Sequence, residues 1–167
     1  GDGAAYRLVR EHFAFLAAAI RRHDGALVKT IGDAVMAAFS DPAQAVRAAL
    51  AVQREMKDFN LDQGGEGMII KLGVHAGPCI AVTLNDRLDY FGSTVNLAAR
   101  LQGESAGADI VLSESLARDP AVAALIAGHK AGREAVRVKG FDDPVPFIRL
   151  APAAQLTPMP RGPSVGR

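Results

Sequence analysis

Residues 89–101, which read DYFGSTVNLAARL, decide the fold. The pattern predicts an acidic residue, Asp89, on a loop, then a glycine turn, then a helix with Ser93 at its N-cap. Asn96 and Arg100 are four residues apart, so they share one face of this helix. An amide and a guanidinium one turn apart form a donor-rich surface suited to a phosphate or a ribose. The same spacing is typical of a solvated polar stripe, and this stretch alone favours that simpler interpretation.

A second stretch, VKTIGDAVMAAF at residues 28–39, has two apolar, partly β-branched runs on either side of Gly32-Asp33. This pattern predicts a β-hairpin with Asp33 at its tip. A carboxylate at a hairpin tip, close to a second polar site, is a good ligand for a hard cation. Taken alone, however, a Gly-Asp pair indicates a turn more often than a metal site.

Together the two stretches resemble the catalytic domain of class III nucleotidyl cyclases, the adenylate and guanylate cyclases, and most of all the bacterial adenylate cyclases. The motifs KTIGDAVMAxF and DxxGxxVNxAxR match in order, spacing and surroundings. The resemblance runs from about Tyr6 to Leu150. It implies an α+β fold with a ferredoxin-like β-α-β-β-α-β core, in which helices pack on a mostly antiparallel sheet.

The remaining sequence predicts a helix, two strands, a helix, two strands, a helix and then small elements. Helices are predicted over 5–23 and 41–60, strands over 68–75, 79–84 and 110–112, short helices over 114–118 and 120–127, and a last hairpin from strands 135–139 and 145–150. A further strand before the first helix would complete the core, so we expect it upstream of Gly1. Residues 1–150 are therefore expected to form the catalytic domain, N-terminally incomplete, and the Pro-, Ala- and Gly-rich residues 151–167 a disordered tail.

The bulk composition bounds the class of protein. A chain of 167 residues fits one domain, and a net charge of +1 gives no reason to expect a nucleic acid polymer as partner. The single cysteine, Cys79, rules out an internal disulfide and is expected to be a small core residue in a reducing compartment. With no long apolar run and no signal peptide, the domain is expected in the cytoplasm, while a membrane tether elsewhere in the protein stays open.

The resemblance also implies a reaction, in which the ribose 3′-oxygen of a nucleoside triphosphate attacks the α-phosphorus and pyrophosphate leaves. Asp33 would be one of two aspartates that hold two Mg²⁺ or Mn²⁺ ions. The other aspartate of the family lies on the first strand, and nothing like it precedes Asp33. Lys29 and Asp89 would read adenine, because lysine donates to a ring nitrogen and aspartate accepts from the exocyclic amine. Guanylate cyclases typically have Glu and Cys there, so this pair argues for ATP over GTP.

Three further roles follow from the same resemblance. Asn96 would orient the ribose, and Arg100 would stabilise the pentacovalent transition state. Lys139 would reach the terminal phosphates, although a solvated lysine at a strand end explains it equally well. In this family the site lies between two protomers, so we expect a homodimer with two sites, an inactive monomer and an upstream regulatory domain.

Two other classes of function are alternatives to an adenylate cyclase. A non-catalytic, cyclase-like module that binds nucleotide or dimerises is supported by the missing first aspartate. A diguanylate cyclase is disfavoured, because Gly32-Asp33-Ala34 stands where a Gly-Gly-Asp/Glu-Glu-Phe-like turn would be needed. His75 is expected to be packed and hydrogen-bonded rather than a catalytic base, and His12 and His129 are expected at the surface.

Overall fold

The computed structural model describes residues 1–62 and 67–152, which form five helices and eight strands. In chain order the elements are α1 (Asp2–Arg22), β1 (Gly25–Ile31), β2 (Ala34–Phe39), α2 (Pro42–Asp62), β3 (Leu72–Val74), β4 (Ile80–Leu84), β5 (Arg87–Phe91), α3 (Ser93–Glu104), β6 (Ile110–Ser113), α4 (Glu114–Ala117), α5 (Pro120–Ile126), β7 (Ala131–Val136) and β8 (Val145–Leu150). This confirms the predicted α+β class. Most of the predicted tail, residues 153–167, lies outside the described residues. None of the described helices is both long and apolar enough to cross a membrane.

The first hairpin, β1–β2, forms as predicted. Ile31 pairs with Ala34, which leaves Gly32-Asp33 as a two-residue loop. The register shifts between Leu27 and Lys29, so the strand carries a bulge immediately before the lysine. A bulge bends its strand and redirects the side chains that follow it, which here include Lys29.

A second hairpin, β4–β5, corrects the prediction that Asp89 lies on a loop. Asp89 is in the middle of β5 and pairs with Val82 of β4. The two strands are joined by Asn85 and Asp86, with φ angles of 49° and 60°. Asn and Asp tolerate this left-handed conformation, and two such residues in succession suit a tight hairpin turn. Sequence reasoning took these polar residues for a connection and so missed the returning strand.

The four-stranded sheet has the order β3-β6-β8-β7, in which β3 runs parallel to β6 and the other pairs are antiparallel. Strands β7 and β8 form the predicted last hairpin, but β7 lies at 131–136 rather than 135–139. The predicted strand 68–75 is also shorter than expected. Ahead of it, the backbone oxygen of Ile70 accepts a hydrogen bond from the side chain of Gln53 instead of a strand neighbour.

The helices pack on these sheets through the predicted apolar stripes, with one exception. On α2, Ala49, Val52 and Met56 are buried as expected. On α1, only the second half is packed, through Leu16, Ala19 and Ile20. Val9 was predicted on the same stripe but is 46% exposed. The first half of α1 therefore extends beyond the part of the domain that α2 covers.

One glycine allows β3 to lie directly against α3. A Cβ atom on Gly73 would fall 2.1 Å from the backbone nitrogen of Gln102 and 2.7 Å from the backbone oxygen of Ala98. Real contacts are never this short, so only glycine permits the approach. The position of α3, which carries the candidate residues Asn96 and Arg100, is thus set by the backbone of the central sheet.

Candidate active site

The central feature of the candidate site is an ion pair that joins the two hairpins. Lys29 Nζ on β1 donates to Asp89 Oδ2 on β5 at 2.8 Å, across 60 positions of sequence. The other carboxylate oxygen accepts from the backbone N–H of Tyr90 at 2.8 Å. These hydrogen bonds, first that of Lys29 and then that of Tyr90, hold the pKa of Asp89 below its ordinary value. The side chains of Lys29 and Asp89 are 37% and 18% exposed, so the pair is charged and accessible from one side.

An aromatic ring completes the surroundings of the lysine. Lys29 Nζ lies 5.6 Å from the ring centroid of Phe91, within the range of a cation–π contact. Asp89 and Phe91 are two residues apart on one strand, so they share a face of β5. Sequence reasoning missed this role for Phe91, because the segment was predicted to be a loop. The signal that could have found it is the alternation of residues after the Asn85-Asp86 turn.

An open cleft of about 400 Å³ is lined by residues that flank the ion pair in sequence. Its walls come from β1 and β5 and comprise Ala26, Leu27, Val28, Arg87, Leu88 and Tyr90. Its volume is within the range of roughly 300–1,000 Å³ that is usual for small-molecule sites. The mostly apolar lining suits a flat aromatic ring more than a free phosphate group.

The start of α3 is set by Gly92 and not by the predicted cap, Ser93. Gly92 occupies the N-cap with a φ of 123° and a ψ of −178°, and Ser93 is already the first helical residue. This backbone conformation is essentially restricted to glycine. In the next position, Thr94 Oγ1 donates to the backbone oxygen of Pro78 at 2.5 Å. Thr94 thereby ties the first turn of the helix to the β3–β4 connection, a role that sequence reasoning did not foresee.

Asn96 and Arg100 lie on the exposed face of α3, as their spacing predicts. Leu97 and Leu101 on the opposite face are buried, which fixes the rotation of the helix. Arg100 Nη2 lies 3.1 Å from Glu104 Oε1, one turn further along. The helix thus presents an amide and a guanidinium to the outside of the chain, where both can reach a ligand or a neighbouring molecule.

Asp33 lies exposed at the tip of the β1–β2 loop. Its charge acts on His12 of α1, and that residue is half-buried rather than at the surface as predicted. Burial lowers the pKa of His12, and the negative charge of Asp33 opposes this only in part. Within residues 1–62 and 67–152 no group of three or more His, Cys, Asp or Glu side chains is placed to hold a metal. The carboxylate of Asp33 has the right chemistry for Mg²⁺ or Mn²⁺, but it provides only one ligand.

The position of Lys139 differs from the one expected. Strand β7 ends at Val136, so the lysine lies in the turn that follows and not at a strand end. It is exposed, while the neighbouring Val138 is buried. No hydrogen bond or ion pair in the described part of the chain joins Asp33, Asn96 or Lys139 to the pair Lys29–Asp89.

Two further predictions concern residues outside this site. His75 is packed and hydrogen-bonded as expected, with Nδ1 at 2.6 Å from Ser113 Oγ, and burial lowers its pKa. The prediction for Cys79 is wrong, because this residue is exposed. It precedes β4, whose residues Ile80 and Leu84 are also exposed, so this hairpin does not contribute to the core.

Comparisons with known proteins agree with the fold. Residues 3–145 match the family described as "Adenylate and Guanylate cyclase catalytic domain". The chain is 32% identical over 110 residues to adenylate cyclase 1 of Rhizobium meliloti, which covers 58% of this chain and 16% of that protein. It is 37% identical over 145 residues to an uncharacterized protein of Mycobacterium tuberculosis, covering 86% of this chain and 34% of that protein.

Among solved structures, the guanylyl cyclase Cya2 superposes with a TM-score of 0.74 at 20% identity, covering 95% of this chain and 85% of that one. At this identity the likeness concerns the fold alone. The chain spans about a third or less of the length of the curated relatives named above. Because the family match covers most of its residues, the chain belongs to the family of adenylate and guanylate cyclase catalytic domains.

Proposed function

We propose that this domain is an adenylate cyclase, which converts ATP to 3′,5′-cyclic AMP and pyrophosphate. The observation that carries the proposal is the ion pair Lys29–Asp89, held at 2.8 Å beside a mostly apolar cleft. It places one donor and one acceptor side by side, and the sequence neighbours of both residues line the cleft. The edge of adenine offers a ring nitrogen as acceptor and an exocyclic amine as donor, so it matches both groups. Guanine offers the reverse pattern.

The exposed face of α3 supplies the groups for the sugar and the reacting phosphate. We assign Asn96 to the ribose, where its amide orients the hydroxyl groups. We assign Arg100 to the α-phosphate, where its guanidinium stabilises the charge that grows on the phosphate oxygens as the 3′-oxygen attacks. Lys139 is assigned to the terminal phosphates, since its turn is exposed and its charge has the right sign.

The proposed enzyme uses two Mg²⁺ or Mn²⁺ ions for each site. Asp33 would be one ligand, because it is an exposed carboxylate at a hairpin tip. In the described part of one chain it belongs to no group of three or more His, Cys, Asp or Glu side chains that could hold a metal. When bound, the ions lower the pKa of the ribose hydroxyl and neutralise charge on the triphosphate. The side chains of α3 then hold the ribose and the phosphate in line for attack.

We further propose that the site is completed by a second copy of the chain, in a homodimer with two sites. In one chain no described contact links Asp33 to Lys29, Asp89, Asn96 or Arg100. Both hairpins also expose large apolar side chains, which an interface would cover: Ile31, Ile80, Leu84, Leu88 and Phe91. A symmetric dimer needs only one such surface, because each chain presents it to the other.

Residues 1–150 are proposed to act as one catalytic domain of a longer cytoplasmic or membrane-tethered protein. The alignments cover only 16% and 34% of the two relatives named above, and an upstream domain would control the cyclase. The alternative is a cyclase-like module that binds nucleotide without converting it. The single ligand at Asp33 is the observation that favours this alternative.

The test is cyclic nucleotide production by the full-length protein from ATP and from GTP, with Mn²⁺. Cyclic AMP from ATP with little cyclic GMP supports the proposal and the assignment of Lys29 and Asp89. Cyclic GMP as the main product would overturn the base assignment alone. A demonstrably dimeric protein that makes neither product would favour the non-catalytic module.

A further inference from the structure

Glu104 ends α3 and lies one turn beyond Arg100. Its carboxylate Oε1 is 3.1 Å from Arg100 Nη2, and the two side chains are 27% and 48% exposed. Exposed pairs of this type, four residues apart on a helix, contribute little to folding stability. The main physical effect of this contact is therefore on the orientation of the Arg100 guanidinium.

The backbone of Glu104 is bonded to the four-stranded sheet. Its carbonyl oxygen accepts a hydrogen bond from Arg149 Nη1 at 2.9 Å. The same nitrogen of Arg149, on β8, also donates to Asp109 Oδ2 at 2.5 Å. Asp109 is buried and accepts in addition from Ser105 Oγ and from the backbone N–H of Gly107. The residue that holds Arg100 is thus itself attached to the central sheet.

The geometry of the contact leaves most of the arginine available. The contact recorded for this ion pair joins Nη2 to one carboxylate oxygen, at 3.1 Å. A guanidinium has five N–H donors in a rigid, planar fork, so one such contact restricts its orientation and leaves the other donors for a phosphate.

We propose that Glu104 is a positioning residue for Arg100. By restricting the long arginine side chain before substrate arrives, it reduces the conformational entropy that is lost when the guanidinium engages the α-phosphate in the transition state. This inference rests on the proposed function, because positioning Arg100 can aid catalysis only if Arg100 acts on a phosphate. It adds to that function a residue that touches neither the nucleotide nor the metal.

The experiment measures kcat and KM for ATP, with Mn²⁺, on the full-length protein and three variants. Glu104→Ala is expected to lower kcat roughly tenfold and to change KM less than about twofold, because the lost restraint matters most in the transition state. Glu104→Gln keeps an oxygen acceptor for the guanidinium and is expected to recover at least half of the lost rate. The matched control is Glu55→Ala, which removes the carboxylate of a similarly exposed ion pair with Arg22, at 53% and 31% exposure. That variant is expected to keep the wild-type kcat.

A second arm shows whether Glu104 acts through Arg100. In an Arg100→Lys background, the change Glu104→Ala is expected to have less than a twofold effect on the residual rate, since the fork it restrains is gone. An equal loss in both backgrounds would overturn the proposal, as would a wild-type kcat or a higher kcat in Glu104→Ala. Thermal unfolding of each variant separates loss of rate from loss of fold. If the wild-type protein makes no cyclic nucleotide, the proposed function fails first and this inference fails with it; if it does, only the results on Glu104 decide.

Discussion

The ion pairs Lys29–Asp89 and Arg149–Asp109 both join segments that are far apart in sequence, yet they differ in how fully their charges are satisfied. In the described part of the chain, Lys29 has one hydrogen-bond acceptor, Asp89, and one aromatic neighbour. Arg149 donates to Asp109, to both carboxylate oxygens of Glu134 and to the backbone oxygen of Glu104. Lys29 therefore has N–H donors left for a ligand, whereas nearly all the N–H donors of Arg149 are already hydrogen-bonded.

Burial follows the same division. The side chain of Asp109 is only 4% exposed, compared with 18% for Asp89. Burial would raise the pKa of Asp109, but hydrogen bonds from Ser105, from Ala106 N–H and from Arg149 outweigh it and lower the pKa. A saturated, buried pair holds a fold together, and a sparsely bonded, accessible pair can exchange its partner for a ligand. The comparison predicts that changes at the two places will affect different measurements.

The largest expected effect is on turnover. Arg100→Ala should lower kcat by about 10²–10³, as loss of a donor to a developing charge does, and should leave the thermal unfolding midpoint nearly unchanged. The measurement is cyclic AMP production, with unfolding followed by circular dichroism. Arg118→Ala is the matched control, because Arg118 forms an ion pair with Glu114 at the same helical spacing. Wild-type turnover in Arg100→Ala would contradict both the assignment and the division between the two regions.

The second largest effect is expected on stability, at the ion pair Arg149–Asp109. Asp109→Ala should lower the free energy of unfolding by about 3 kcal/mol, because it leaves the mostly buried Arg149 without its central partner. Glu134→Ala, which removes a more exposed partner of the same arginine, should cost less than about 1 kcal/mol. Chemical denaturation of the two variants checks the difference. Equal costs would mean that burial does not distinguish the two acids.

A smaller effect is expected on the choice of base. Replacing Lys29 by Glu together with Asp89 by Cys should raise the ratio of kcat/KM for GTP to that for ATP by at least roughly tenfold, because unpaired polar groups in a base site are costly. Competition assays with both nucleotides provide the ratio. The variant Glu55→Ala should leave it unchanged, and an unchanged ratio in the double variant would remove Lys29 and Asp89 from base recognition.

The smallest effect is expected in acid. Asp109 has a lowered pKa in the folded protein, so its charge stabilises the fold above its unfolded pKa of about 3.9 and this contribution disappears as the pH falls through the folded value. Asp109→Asn should therefore be less stable at neutral pH but lose less of its stability below about pH 4. Acid unfolding curves of the wild type, Asp109→Asn and Asp89→Asn test this. A flattened curve in Asp89→Asn alone would reverse the comparison.

The sequence predicted the parts of this molecule that depend on local pattern. The hairpin around Gly32-Asp33 and the buried stripe of α2 follow from periodicity and turn residues. A shared role for Lys29 and Asp89 followed only from the resemblance of the two motifs to a known family, since no local rule links residues so far apart. The strand that carries Asp89 was missed, because two left-handed residues, Asn85 and Asp86, read as an ordinary polar connection.

The remaining differences arise from contacts between distant segments. β3 pairs with β6 in parallel, and Arg149 bonds to residues far away in sequence. No local sequence pattern predicts either of these contacts. The same holds for Phe91, whose contact with Lys29 depends on which face of β5 it shares with Asp89. Cys79 was expected in the core on grounds of residue type, yet its hairpin stands apart from the central sheet.

The absence of a side chain at Gly73 has a mechanical consequence. At Gly73 the backbone of β3 lies directly against that of α3, so at this point no side chain of β3 can change rotamer and absorb a displacement. A displacement of the sheet therefore displaces the helix as a rigid body, together with Arg100 and Asn96 on its exposed face. A signal that shifts β3 by a fraction of an ångström would move both groups by a comparable distance, without unfolding any element.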